Sequence, residues 1–225
     1  MNTVILSEFA TPILLSRWEQ GAKNVDMLVE FLTEELKREV DSSEIRGQEQ
    51  VGIQTAIDST TGIGAINLIY RAKFETNDRI HLEVNSQLRD LLLWVLDQTK
   101  NLMAAISVGS DNYRPYVLNC WASLYKEGHY HNAHIHPGSL FSAVYCVSKP
   151  KLTQGEGALV LFDPRPNINY VNFEWPAWAN EARVFDLMPG DLIVFPGWLK
   201  HAVTPFRGPG ERLTIAVNME AKLPH

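Results

Sequence analysis

A mainly β fold, a sandwich or small barrel braced by two helices, is predicted by three features of this 225-residue sequence. Helical periodicity is confined to the first half, at 24–40 and 85–106. After Gly109 it gives way to seven short β-rich runs separated by Gly, Pro, Asn and Asp. In two of those runs residues suited to a cavity alternate with residues suited to a core, so each strand has two different faces.

Taken in order, residues 3–15 read as an opening strand broken by Pro12. From Asn24 to Val40 the apolar residues Val25, Leu28, Val29, Leu32 and Leu36 fall at helical spacing, with Asn24 placed to cap the N-terminus. The polar, glycine-containing stretch 41–62 reads as a loop. A second helix, from about Asn85 to Ile106, carries Leu88, Leu91, Leu92, Val95, Leu96, Leu102 and Met103 on one stripe. Strands are expected near 115–125, 139–148, 157–162, 183–187, 191–195, 201–205 and 212–219. In the last of these Arg212, Thr214, Ala216 and Asn218 share a face, opposite Leu213, Ile215, Val217 and Met219. In 117–125, Asn119, Trp121, Ser123 and Tyr125 likewise oppose Leu118, Cys120, Ala122 and Leu124. Inward polar groups in a small barrel imply a ligand, because each one buried without a partner costs about 1–3 kcal/mol.

Length and composition set the outer limits. The chain suits one domain over 1–225, with 1–110 as a helical supporting region and 111–225 as the β core. A hydrophobic content of 45% with 20% charged residues is globular. A formal net charge of −6, without a basic stripe, gives no support to nucleic-acid binding. The segment MNTVILSEFATPILL has no Lys or Arg before its apolar residues and is interrupted by Ser7, Glu8, Thr11 and Pro12, so neither a secretory signal nor a membrane span is expected. The two cysteines, Cys120 and Cys146, lie in strand-like runs and are expected as buried thiols, and the protein as cytoplasmic.

The chemistry gathers at Tyr125–Tyr145. Four of the seven histidines, His129, His131, His134 and His136, fall within eight residues of one another. On extended backbone His134 and His136 point to one side, so both imidazoles can address one point in space. His201 follows 65 residues later, after two tight Pro-Gly turns, and Arg212 another 11 residues on. A solvated polar loop is the plain alternative for the cluster, and an edge-strand arginine the plain alternative for Arg212.

The order Tyr125-x-x-Gly128, His134-x-His136, PGDLIVFPGWLKH ending at His201, and Arg212-x-Thr214 resembles the iron(II)- and 2-oxoglutarate-dependent oxygenases. The likeness is to the prolyl-hydroxylase-like branch, and most to a family of mostly uncharacterised bacterial and phage proteins; it covers roughly residues 113–220. It implies a double-stranded β-helix (a jelly roll, cupin-like) with two N-terminal supporting α-helices. It also implies Fe(II) and 2-oxoglutarate as cofactors, and hydroxylation of a small molecule or amino-acid-type substrate with release of succinate and CO2.

Residue by residue, the resemblance puts His134 and His201 on the family's first and last metal ligands. His136 stands where the family has Asp or Glu, so the third ligand is either His136, giving an all-histidine site, or a carboxylate from elsewhere, with Asp163 as first candidate. The three-histidine set is preferred. A neutral third ligand leaves the site about one unit more positive. Arg212 would hold the distal carboxylate of 2-oxoglutarate, helped by Thr214 and Tyr125. Arg165, Asn119 and Trp121 are substrate-binding candidates. The aromatic-rich segment 164–182 reads as a lid, a homodimer contact or packing onto the barrel. Two other readings stay open: a cupin-like three-histidine metal dioxygenase or isomerase that does not use 2-oxoglutarate, and a non-catalytic jelly-roll binding protein.

Overall fold

The computed structural model describes residues 10–19, 21–42, 53–57, 64–68, 71–72, 74–106, 109, 112–150, 155–165 and 181–223. Within them the order is β1 (Leu14–Arg17), α1 (Gly21–Ser42), β2 (Ile53–Ile57), β3 (Gly64–Leu68), β4 (Arg71–Ala72), β5 (Phe74–Glu75) and α2 (Ser86–Ile106). The β core then follows as β6 (Arg114–Tyr125), β7 (Tyr130–His134), β8 (Phe141–Ser148), β9 (Leu159–Phe162), β10 (Ala182–Phe185), β11 (Asp191–Pro196), β12 (His201–Val203) and β13 (Arg212–Lys222).

These strands form a jelly roll of two facing antiparallel sheets. The larger runs β1-β11-β8-β13-β6-β5 and the smaller β10-β9-β12-β7-β4, with β2 and β3 pairing separately. Alternation decides what each face of the larger sheet meets. Cys120, Ala122, Leu213, Ile215, Val217 and Met219 pack outward against Leu28, Leu32, Leu36, Leu88, Leu91 and Val95 of the helices in one apolar cluster. Burying a leucine side chain contributes roughly 1.5–3 kcal/mol, so this stripe docks both helices on the sheet. The seam is sealed by Trp18, stacked on Trp94 at 5.8 Å, with Tyr145 edge-on to both. A second cluster, including Cys146, Leu159, Leu161, Ile193, Phe195 and Phe206, fills the space between the sheets. Both cysteines are free and buried, as expected.

Asn85 does cap α2, its Oδ1 accepting the Leu88 amide at 2.9 Å. Asn24 does not cap α1, which begins at Gly21 and places Asn24 inside the helix. The expected loop 41–62 contains strand β2 over Ile53–Ile57; its residues 43–52 and 58–62 lie outside the described residues. Of the opening strand, only Leu14–Arg17 is β structure, and 3–9 lie outside the described residues. β12 stops at Val203, earlier than expected, because Thr204 turns to the loop at 155–158: its amide bonds Ala158 O at 3.0 Å and its hydroxyl bonds Gly155 O at 2.6 Å. No helix among the described residues is long and apolar enough to cross a membrane.

Candidate metal centre

Strand register brings two of the histidines together before any side chain is considered. β12 and β7 pair antiparallel with His201 opposite His134, and the ladder slips immediately afterwards, between His201 and Val203. His136 lies just beyond β7, where its amide donates to Gly197 O at 2.9 Å, and Gly197 N in turn bonds Leu140 O at 3.1 Å. These bonds clamp the turn after His136 onto the turn before His201. The approach is so close that a Cβ on Gly197 would lie 2.3 Å from the Ser139 carbonyl oxygen.

His134, His136 and His201 each present a ring nitrogen to one point, the three atoms lying within 4.8 Å of one another. His134 Nδ1 donates to Asn132 O at 2.8 Å and His201 Nδ1 to Leu199 O at 2.9 Å. A carbonyl only accepts, so both rings carry their proton on Nδ1 and turn an Nε2 lone pair inward. Phe195 lies edge-on to His201 at 4.9 Å and Trp121 is tilted over His136 at 5.6 Å, giving the imidazoles an apolar surround.

The opposite wall is the cavity face of β13 and β6. Arg212, Thr214, Ala216 and Asn218 line the cavity as alternation predicted, and so do Trp121, Ser123 and Tyr125. Cross-strand register sets Arg212 beside Tyr125, Thr214 beside Ser123 and Ala216 beside Trp121. The Arg212 side chain is 1% exposed, and its Nε and Nη1 have no hydrogen-bond partner. Its guanidinium carbon stands 4.8 Å from the Tyr125 ring centroid, a cation–π contact. No Asp or Glu is among the described residues lining this cavity. A buried guanidinium with unused donors, lining the same cavity as three imidazoles, is chemically suited to an anion.

The remaining expected residues are distributed as follows. Asp163 is outside the histidine group: its carboxylate takes Arg165 Nε at 2.9 Å and Nη2 at 2.5 Å, and these bonds hold it below the usual carboxylate range. Arg165 is committed to the same pair and does not line the cavity. Asn119 faces the same way as Trp121 but sits beyond the cavity, donating to Asp78 Oδ2 at 3.1 Å. His131, from the histidine cluster, stacks on His134 with ring centroids 3.8 Å apart and lines the cavity, whereas His129 is buried against Phe74. Ser142 was missed by the sequence reading; it lines the cavity and donates to Asn218 Oδ1 at 2.9 Å. Its place opposite Asn218 in the β8–β13 ladder was the available signal. Segment 166–180, with its aromatic residues, lies outside the described residues.

The jelly roll thus carries, in the lining of one cavity, three imidazoles that could hold a metal ion and a buried guanidinium. Residues 119–218 match the model of the family described as "Putative 2OG-Fe(II) oxygenase". Over that segment the chain is similar to the iron(II)- and 2-oxoglutarate-dependent oxygenases, a class whose cofactors are Fe(II) and 2-oxoglutarate.

Solved structures agree on the fold. A Pseudomonas putida prolyl-4-hydroxylase is 16% identical, covering 93% of this chain and 92% of its own, with a TM-score of 0.56. The viral collagen prolyl hydroxylase of Paramecium bursaria Chlorella virus-1, solved with 2-oxoglutarate, is 12% identical over 92% of this chain and 95% of its own, with a TM-score of 0.54. The α-ketoglutarate-dependent carbocyclase SnoK of nogalamycin biosynthesis is 11% identical over 97% and 86%, with a TM-score of 0.60. No curated protein matches.

Proposed function

We propose that this oxygenase hydroxylates a small molecule or amino-acid-type substrate, with His134, His136 and His201 as its metal ligands and Arg212 as the anchor of 2-oxoglutarate. The observation that carries this reading is Arg212, fully buried in the cavity with Nε and Nη1 unbonded. Such a group is costly to bury without a partner and is satisfied by a carboxylate, which a guanidinium can engage bidentately.

The donor set fits iron: imidazole nitrogens suit Fe(II), and two of the three rings are oriented by an Nδ1 bond to a backbone carbonyl, which makes Nε2 the atom that would meet a metal. Iron(II), when bound, supplies the centre at which dioxygen is reduced as 2-oxoglutarate is converted to succinate and CO2. The protein's own residues do the rest. Arg212 and Thr214, which line the cavity, would hold the end of the cosubstrate away from the metal, with the Tyr125 ring packed against the guanidinium. Phe195 and Trp121 keep water from the histidines. Trp121 also bounds the cavity where a substrate would lie.

The neighbouring structures are prolyl hydroxylases and a carbocyclase, which supports both an amino-acid side chain and a small metabolite as substrate classes. The decisive experiment measures succinate formed from 2-oxoglutarate under air by iron-loaded protein, with and without a panel of free amino acids and short peptides. Turnover that needs Arg212 is expected. An absence of succinate above background would overturn the reading and leave a three-histidine enzyme that binds its substrate directly on the metal.

A further inference from the structure

The surroundings of Arg212 include a turn that does not itself line the cavity. Residues 155–158 lead into β9, and Thr204, just past the end of β12, fastens them. The Thr204 hydroxyl donates to Gly155 O at 2.6 Å and accepts the Ala158 amide at 2.9 Å, while its own amide donates to Ala158 O at 3.0 Å. The Gly157 amide adds a bond to Pro205 O at 3.2 Å. The turn is therefore held at both ends and in the middle.

Gly157 is the point at which this turn meets the side chains inside. A Cβ there would lie 2.9 Å from Phe206 Cδ2 and 3.3 Å from Arg212 Cδ. Neither neighbour has room to withdraw. Phe206 is fully buried, its amide bonded to His129 O at 2.8 Å and its carbonyl to the Gly128 amide at 2.7 Å. Arg212 is equally buried, with its guanidinium against the Tyr125 ring. Protein interiors are close-packed, so a methyl group with nowhere to go displaces what it touches. Because Cδ is bonded to Nε, a push there reaches the donors of Arg212 at once.

Gly155 supplies the contrast. It belongs to the same turn and has φ +89°, against +59° at Gly157, yet a Cβ on it would meet nothing within 4 Å. The backbone favours glycine at both positions. Only Gly157 abuts Arg212.

We infer that Gly157 is a positioning residue for the cosubstrate: its bare Cα, in a turn fastened by Thr204, sets where the Arg212 donors lie and so how tightly 2-oxoglutarate is held. This rests on the reading of Arg212 as the anchor of 2-oxoglutarate.

The test is calorimetric titration of 2-oxoglutarate into the full chain loaded with Zn(II), a redox-inert occupant for the histidine site, with Zn(II) affinity and melting temperature measured alongside. Gly157→Ala should weaken 2-oxoglutarate about 10–100-fold, the scale of misplacing a binding group by about 1 Å, and leave Zn(II) affinity within about threefold. Gly155→Ala keeps the carbonyl that Thr204 bonds and carries a comparable backbone strain; it should lower the melting temperature but leave 2-oxoglutarate within about threefold. In an Arg212→Met background, adding Gly157→Ala should cost no further affinity, because both changes act through one group. Thr204→Val, which unfastens the turn without crowding it, should weaken 2-oxoglutarate by about threefold or more, and it decides the matter if Gly157→Ala does not fold. A loss in Gly157→Ala no greater than in Gly155→Ala, the same loss repeated on Arg212→Met, or a Thr204→Val protein that binds like the parent overturns the inference. Arg212→Met alone separates the two failures. If it binds 2-oxoglutarate like the parent, the anchor reading falls; if it loses 2-oxoglutarate while Gly157→Ala does not, only the role of Gly157 falls.

Discussion

The two walls of the cavity are built by different means. On the larger sheet, β6 and β13 pair in unbroken register from Arg212 opposite Tyr125 to Asn218 opposite Asn119, and the functional groups follow at every second residue. On the smaller sheet, the histidines come from short strands with a slipped ladder, and His136 is placed by a turn clamped to Gly197. A regular ladder distributes groups along a line and tolerates changes on its surface. Clamped turns bring groups to a point and leave no room for adjustment.

The comparison breaks most decisively at the metal. His201→Ala or His134→Ala should reduce Zn(II) or Fe(II) affinity by more than the roughly 10–100-fold typical of losing a hydrogen-bond partner to a ligand. Isothermal titration checks this, and 2-oxoglutarate should then bind only through the other wall. Arg212→Met is the converse experiment. Losing charge-assisted hydrogen bonds worth about 1.5–3 kcal/mol should weaken 2-oxoglutarate on the order of 10–100-fold, with metal affinity unchanged. Because this variant also removes a buried charge with unbonded donors, its melting temperature without ligand should rise by about 2–4 °C in calorimetry.

Smaller effects sharpen the contrast. Gly197→Ala should cost about 3 kcal/mol of stability in urea unfolding, since its Cβ would strike the Ser139 backbone, and the metal should be lost with the clamp. Asp163→Asn should leave metal affinity within about threefold, because that carboxylate is held by Arg165. The smallest expected effect belongs to Cys146, on the larger sheet beside Thr214. Burial raises its thiol pKa from 9.0 to about 11, with the Arg212 charge pulling the other way. A raised pKa means that the folded state holds the proton more tightly, so this contribution to stability is whole below pH 9.0 and is lost as pH climbs towards 11. Cys146→Ala should therefore flatten the alkaline fall in stability over that window, as read by thermal unfolding at successive pH values.

What could be read from the sequence follows the same division. Alternation in 212–219 identified the cavity face residue by residue, since β13 is regular there. The strand Tyr130–His134 was not identified: YHNAH has no apolar alternation, and it is β structure only because β12 and β4 pair with it. The strand Ile53–Ile57 was hidden in a stretch judged by its polar surroundings. Asn119 has the right parity and the wrong position along its strand, which period two cannot distinguish. The preference for His136 over Asp163 went with its sharing a face with His134, although the resembled family has a carboxylate at that position. The Arg165 partner that occupies Asp163 depends on loop geometry, which no spacing rule supplies.

β1 has a role apart from the cavity. It pairs along β11, whose segment DLIVFP is almost entirely buried. If Leu14–Arg17 were trimmed away, that sticky apolar strand would become the rim of the sheet, an open template for another molecule to join. Shortened versions made for crystallisation should therefore keep everything from Leu14 onward, or self-association will obscure whatever else is measured.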